Sequence, residues 1–411
     1  MRASLKAKPR KAKGKCPRPN DVHCAPVRRT KSLLLVVAVL ALCGAQQVQN
    51  RPARLQNVGG EPPLILRAKS TSSGPHFTEV VLLPGRGMNV FQIKAFIPGL
   101  GEQDVIASPS LTVAAQELTG SGDDFAGVKS FKFGGAILVP WANRIRGQLM
   151  PDGRWIKTEI AGHQLTLPAD WSGKKPGAEK HAIHGLILES KFQPTAASGG
   201  DTAHAVLHAG SFQGHWPSTT EVAVDVALSA AAIDIRVTAK NTGQEASPIG
   251  IGWHPYFAFP SGKRQQAELS LPARQRTVVN NYDDVFPTGQ VVPVAGTEYD
   301  FFDKPRALGQ QYLDDCFLDL ARRDDGAVVA EIADRAAKYG LRIVGLSREI
   351  ESFQVYAPPD KQFVALEPQF NLADPFNRKI WGNRDTGMVM LKPGESVAYH
   401  VRLELFTPAA K

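Results

Sequence analysis

Cysteine is nearly absent from this chain: Cys16, Cys24, Cys43 and Cys316 are the four in 411 residues. Three of them precede residue 46, so a chain processed there keeps one thiol and can form no internal disulfide. No Cys-x-x-Cys pair and no Cys/His cluster of structural-zinc spacing occurs, which excludes a zinc-stapled fold. Helical periodicity is equally scarce, with Val329–Lys338 the only fair stretch, and no repeat recurs at the 20–50 residue scale. The excess of positive charge is local. Residues 1–32 hold eleven Lys or Arg and one Asp, so of the net charge of +9 the rest of the chain carries −1. A near-neutral body gives no reason to expect a nucleic-acid partner.

What is present begins with that basic segment. It leads into the uncharged, mostly apolar run from Ser32 to Ala45, too short for the ~20 residues that span a bilayer and flanked as an export signal is. The expected organisation is an export signal or N-terminal anchor over 1–45, a linker over 46–75 and a folded domain over 76–411. Export implies a periplasmic or extracellular protein that meets the membrane only through the N-terminal segment, if that segment is uncleaved or lipidated at Cys43. The small residue such lipidation prefers before the cysteine is Leu42 here, and Arg28-Arg29 is a weak twin-arginine signal. Gln, Pro, Gly and Ser dominate the linker.

From Thr78 the pattern is β. Glu79–Leu83, Val90–Phe96, Glu221–Leu228, Ala232–Thr238, Leu341–Leu346, Phe353–Tyr356 and Val397–Phe406 are short runs, several alternating apolar with polar residues, separated by Gly and Pro. Alternation of this kind marks half-buried antiparallel strands. The expected fold is all-β, a single large antiparallel β-sandwich.

Five stretches could carry chemistry. Residues 249–260, Ile-Gly-Ile-Gly-Trp-His-Pro-Tyr-Phe-Ala-Phe-Pro, read as a buried strand opening into a turn, with His254 at its centre. An imidazole among such neighbours loses hydration, which disfavours its charged form unless a carboxylate or polar ligand faces it. A core histidine bonded to a backbone carbonyl is the competing reading. Around Pro140-Trp141-Ala142-Asn143-Arg144, donors of fixed geometry sit beside an apolar wall, as a polyhydroxylated ligand requires; a polar turn is the alternative. His181 and His184 stand three apart, a weak metal signal, while Gly185 permits close backbone approach. Of the adjacent pair Asp314-Asp315, at most one can face a common pocket, because neighbouring strand residues point oppositely. Glu367 ends the apolar run Val364-Ala365-Leu366, an expensive place for a carboxylate unless it leaves the core for a cleft.

Together these stretches resemble the aldose 1-epimerase (galactose mutarotase) family. The likeness holds in order: the Asn143 turn, the His184-Gly185 loop, His254-Pro255-Tyr256-Phe257, Asp314 and Leu366-Glu367-Pro368-Gln369. Phe286–Gln290, Val294–Phe301 and Leu391–Glu395 fit its connecting segments. The resemblance covers roughly 78–407 and implies a galactose mutarotase-like supersandwich that interconverts the α and β anomers of a free aldose. By position it implies Glu367 as general base, His254 as general acid and His184 as a hydrogen-bond partner of the ring oxygen. Asn143, Arg144, Asp314 and Gln369 would hold the sugar hydroxyls. No metal or other cofactor is implied. An imidazolium and a carboxylate would close on the hemiacetal from opposite sides, and a carboxylate would keep His254 protonated near neutral pH.

Three departures are expected to reshape the pocket and bear on the substrate: Leu186 where the family has a second glycine, Trp253 before the histidine, and Ala258 where asparagine is frequent. Trp253 or Trp141 could stack on a sugar face, although a buried Trp is more often core. Two alternatives stand beside the mutarotase. One is an exported, non-catalytic carbohydrate-binding protein. The other is a hexose-phosphate 1-epimerase, for which Arg144 and Arg146 form a partial phosphate cluster. A polysaccharide lyase would add a helical domain that the sequence does not show. The sequence carries no signal for an oligomeric state.

Overall fold

The computed structural model describes residues 56–70, 72–195 and 200–409. The segment 1–45, with the expected export signal and Cys16, Cys24 and Cys43, lies outside the described residues. Among the described residues no helix is long and apolar enough to cross a membrane.

Two large antiparallel sheets make the body. One has nine strands in the order 193–194, 202–210, 220–228, 232–241, 396–406, 339–345, 328–334, 268–270 and 306–307. The other has seven, in the order 287–293, 273–279, 313–320, 352–357, 363–369, 252–258 and 135–138. Alternation in the sequence becomes alternation in burial. In Thr220–Leu228 the residues Val222, Val224 and Val226 are buried and their neighbours are partly exposed. Both faces of Phe363–Gln369 are covered, and its last six residues are all buried.

The sheets share one hydrophobic core. Val224, Ile235, Ile343, Val401 and Leu403 from the larger sheet meet Phe257, Phe317, Phe353, Val355 and Leu366 from the smaller. Tyr399 crosses between them, its hydroxyl donating to the carbonyl of Pro368 at 2.9 Å. Because strand side chains alternate, the residues between these core positions point the other way, out of the smaller sheet. They are Asp314, Gln354, Tyr356, Glu367, His254 and Tyr256.

Two expectations are corrected. Val329–Lys338 is not a helix: Val328–Asp334 is a strand paired with Tyr339–Gly345, joined by a 3-10 turn at Arg335–Ala337. Its Ala, Glu and Arg favour helix, but alternate burial of Val328, Ala330 and Ile332 in the sheet outweighs that propensity. Nor is 46–75 wholly a linker. Leu64–Arg67 pairs with His76–Leu83 at the edge of a four-stranded sheet, and Val58, Leu64 and Leu66 are buried. Each such side chain contributes about 1.5–3 kcal/mol. A chain beginning at residue 76 should therefore be about 5 kcal/mol less stable than one beginning at 53, visible as a lower midpoint of urea unfolding; equal midpoints would make that strand dispensable.

Candidate active site

The site is assembled by register. Antiparallel pairing sets Gln354 opposite Glu367, and the pairing of 252–258 with 363–369 matches Gly252 to Gln369 and Tyr256 to Ala365, which brings His254 beside Glu367. Directly opposed residues share a face, so the imidazole and the carboxyl meet although more than a hundred residues separate them. His254 Nε2 lies 3.2 Å from Glu367 Oε1. Both side chains are almost wholly removed from solvent, at 4% and 1% exposure.

A second wall comes from two loops zipped together. Ala182-Ile183 pairs with Arg144-Ile145; the His184 N–H donates to the Asn143 carbonyl at 2.9 Å, and the Asn143 N–H donates to His184 Nδ1 at 3.2 Å. Asn143 and His184 both have positive φ, 65° and 61°, a conformation uncommon outside glycine and concentrated at functional sites. Gly185 follows at φ 88°, and a Cβ there would lie 2.2 Å from the Val139 carbonyl oxygen. The close approach expected at this glycine is therefore real.

That hydrogen bond settles a tautomer. A backbone N–H can only donate, so Nδ1 of His184 is the acceptor and Nε2 carries the proton of the neutral ring. His184, His254 and Glu367 offer ligand atoms within 4.8 Å of one another, a spacing that invites comparison with a metal site. With its Nε2 protonated, however, His184 presents a hydrogen-bond donor where a metal would need a lone pair.

Burial dominates the electrostatics. It pushes His254 down to about 3, assisted by Arg144, and drives His184 well below the ordinary imidazole value, assisted by His254 and Arg144. It also raises Glu367 well above the usual carboxyl range, with Asp314 adding to the effect and Arg144 opposing it. Phe131 seals this corner, its ring 4.7 Å from His184 and 5.4 Å from His254. Burial therefore acts against the charged form of both partners in this contact. The expectation that a carboxylate keeps His254 charged is not met, because burial disfavours both ions.

Arg144 is buried and braced: Nη1 donates to Asn143 Oδ1 at 3.0 Å, and Nη2 lies 3.6 Å from Asp314 Oδ2. Gln354 connects the two walls, donating to Asp314 Oδ1 at 2.7 Å and accepting from Asn143 Nδ2 at 3.0 Å. Glu367 Oε2, His254 Nδ1 and Arg144 Nε make no hydrogen bond within the protein. Buried polar atoms left in this state around one cavity mark a place for a polar ligand. The cavity is a cleft of about 420 Å³.

A sequence model described as aldose 1-epimerase matches residues 109–404. The chain belongs to the aldose 1-epimerase family. It is 24% identical over 277 residues to the uncharacterised protein YphB of Escherichia coli K12, an alignment covering 65% of this chain and 82% of that one. Its fold is that of a galactose mutarotase-like protein from Clostridium acetobutylicum (TM-score 0.61, 18% identity, 81% of this chain and 93% of the other). It is also that of a GalM/aldose epimerase homologue from C. elegans (0.63, 16%, 84% and 98%), and of galactose 1-epimerase from Lactobacillus acidophilus (0.57, 15%, 84% and 99%). Membership implies a small-molecule sugar as substrate.

Of the residues that the epimerase resemblance singled out, Glu367, His254, His184, Arg144 and Asp314 line the cleft together. Asn143 and Gln369 do not. Asn143 is buried behind Arg144 and Gln354, and Gln369 reaches only the Cys316 sulfur, at 3.8 Å. As expected of neighbours on a strand, only one of the two aspartates faces the cleft; Asp315 turns away to Arg276 at 3.0 Å. His181 is also off the cleft, bonded to the Glu179 carbonyl. Glu367 and His254 do not face each other across a gap but stand side by side. Trp141 and Trp253 are core, their indole N–H groups donating to the Asn143 and Gly135 carbonyls. None of Leu186, Trp253 and Ala258 lines the cleft, so these departures do not reshape it directly.

The sequence reading missed Gln354, Asn371 and Phe131. Gln354 had a signal, a lone amide amid Phe353, Val355 and Ala357. Asn371 accepts from Ala142 N–H and donates to the Ala142 carbonyl, at 3.0 and 2.9 Å, tying the arginine turn to the strand that carries Glu367. Its neighbours in sequence do not announce this. For the tautomer, ¹⁵N-resolved histidine spectra should show His184 protonated at Nε2 and bare at Nδ1 throughout neutral pH; a protonated Nδ1 would contradict the Asn143 hydrogen bond.

Proposed function

We propose that this chain is a mutarotase, interconverting the α and β anomers of a free aldose by acid–base opening and closure of the ring. The observation that carries the reading is the His254–Glu367 contact at 3.2 Å, facing a cleft with a donor, His184, and a braced ion pair, Arg144–Asp314.

Ring opening needs one proton removed from the anomeric hydroxyl and one delivered to the ring oxygen. Both oxygens are bonded to C1, so two groups side by side on adjacent strands can serve both from one side of the sugar. In this scheme Glu367 takes the hydroxyl proton while His254 protonates the ring oxygen. The aldehyde then turns about C1–C2, and the two groups exchange duties as the ring closes. His184 Nε2–H donates to the ring oxygen or a neighbouring hydroxyl, and Arg144 and Asp314 hold further hydroxyls. Asn143 acts through Arg144, and Gln369 supports the wall behind Glu367.

The proton begins on Glu367 and must reach His254. At 3.2 Å an ion pair gains ~5 kcal/mol at an effective dielectric of 20, comparable with the several kcal/mol that burying each ion costs. The gain offsets only part of the two desolvation costs, and the hydroxyls of a bound sugar, donating to the carboxylate and accepting from the imidazolium, favour the charged arrangement. No redox step is involved.

A phosphorylated substrate is less well served. Arg146, half of the phosphate cluster that the sequence offered, is bonded to Glu179 at 2.5 and 2.9 Å and stacked on Phe286. Export, proposed from residues 1–45, would place the activity in the periplasm or outside the cell; recovery of the full-length protein solely from the cytosolic fraction would remove that part.

Polarimetry on fresh α-glucose and α-galactose tests the reaction. Glu367→Gln and His254→Asn should each lower kcat by about 10²–10⁴ with KM changed by less than about threefold. Equal decay of rotation with and without the wild-type protein on every aldose would transfer the cleft to the binding-protein reading. The active pair holds one proton, gaining a second only as pH falls toward about 3 and losing the last only above the raised carboxyl value. In the Glu367→Gln variant the residual kcat/KM should accordingly show no inflection at the ordinary imidazole value of 6.5; a midpoint there would show that burial does not lower His254.

A further inference from the structure

A second cavity, of about 480 Å³, adjoins the cleft. It shares Trp171 and Ser172 with the cleft and is lined by none of His184, His254, Arg144, Asp314 and Glu367. Its walls come from the segment 122–128, the turn at Gly153-Arg154 and the stretch 169–172, together with Lys180.

Two cations border this cavity with no anion to answer them. Arg154 lays its guanidinium over the Phe125 ring at 4.3 Å, a stack that uses the face of the planar fork and leaves its N–H edge for a planar anion. Lys180 Nζ donates to the Gly153 carbonyl at 2.9 Å, which holds it beside the arginine turn with two of its three donors to spare. Among the described residues neither cation forms a salt bridge. The carboxylates around them are engaged elsewhere: Asp123 with Lys129 at 2.9 Å, Glu179 with Arg146 at 2.5 Å, and Asp152 with the Arg154 backbone N–H at 3.0 Å. Like charges on one cavity repel each other, and an anion between them relieves that repulsion.

Asp170 adds a polar group that the fold does not satisfy. Its Oδ1 accepts from the Ile183 N–H at 3.1 Å, while its buried Oδ2 makes no hydrogen bond within the described protein. Burial pushes this carboxyl well above the ordinary range, so the charged form that would repel an anion is disfavoured and the neutral form offers a donor. Phe125 and Trp171 supply the apolar surface against which the body of a small molecule packs.

We propose that this cavity is a second binding site, for a small organic anion whose carboxylate or phosphate is held by Arg154 and Lys180 and whose body lies against Phe125 and Trp171.

Calorimetric titration of the full-length protein with inorganic phosphate, benzoate and D-glucuronate tests this. At least one of the two organic anions should bind about tenfold more tightly than inorganic phosphate. Arg154→Gln and Lys180→Gln, both at exposed positions where the fold tolerates change, should each weaken it about tenfold. Arg144→Lys, in the cleft, should leave it within about twofold. Inorganic phosphate binding as tightly as both organic anions would show that the rings contribute nothing and overturn the proposal. So would the absence of any binding below about 10 mM. Affinity that survives Arg154→Gln and Lys180→Gln together would overturn it as well, placing the anion in the cleft if Arg144→Lys abolishes it and on the basic segment 1–32 if it does not. The titration reads binding directly, so its result is independent of whether any aldose is turned over.

Discussion

A carboxyl and an imidazole in direct contact, both shut away from water, are the constraint around which this protein is arranged. Burial disfavours the charged form of each group: the imidazole is driven toward about 3 and the carboxyl upward. Proximity works in the opposite sense, because an ion pair at this separation recovers energy of the same order as its desolvation. The direct contact of the two groups sets these opposing effects against each other.

The surrounding fold holds the balance in place. Strand pairing fixes where Glu367 and His254 stand, and Phe131 keeps water from the imidazoles. The reciprocal bonds between Asn143 and His184 hold two left-handed residues that would otherwise relax. Gln354 and Asn371 join these loops to the sheet. Arg144 acts on each of these groups, lowering both histidines, opposing the rise of Glu367 and Asp314, and reaching into the cleft.

Much of this was legible in the chain. Alternation in 220–228 and 232–241 announced an antiparallel sandwich, and His254 and Glu367 stood out as polar residues that apolar runs could not otherwise explain. Where the reading failed, long-range pairing was the reason. Val328–Asp334 has a helix-friendly composition but is a strand because its neighbours are strands, and Leu64–Arg67 looks like linker until it meets an edge. Asn143 and Gln369 have the chemistry of sugar ligands but sit one layer behind the surface. Trp141 and Trp253, equally plausible as stacking platforms, are core. The rings of Tyr256, Phe363, Tyr356, Tyr312 and Tyr282 along the cleft are drawn from five separate segments, so no local pattern reveals them.

The sequence by itself determined the alternation of inward and outward side chains, hence the fold class, the family and the small set of residues able to move protons, because these follow from local periodicity and residue chemistry. Only the tertiary structure decided which of those residues share a cavity, which tautomer His184 adopts and in which direction burial shifts His254 and Glu367. Those properties depend on burial and on distances between strands far apart in the chain, and neither is a property of any short segment.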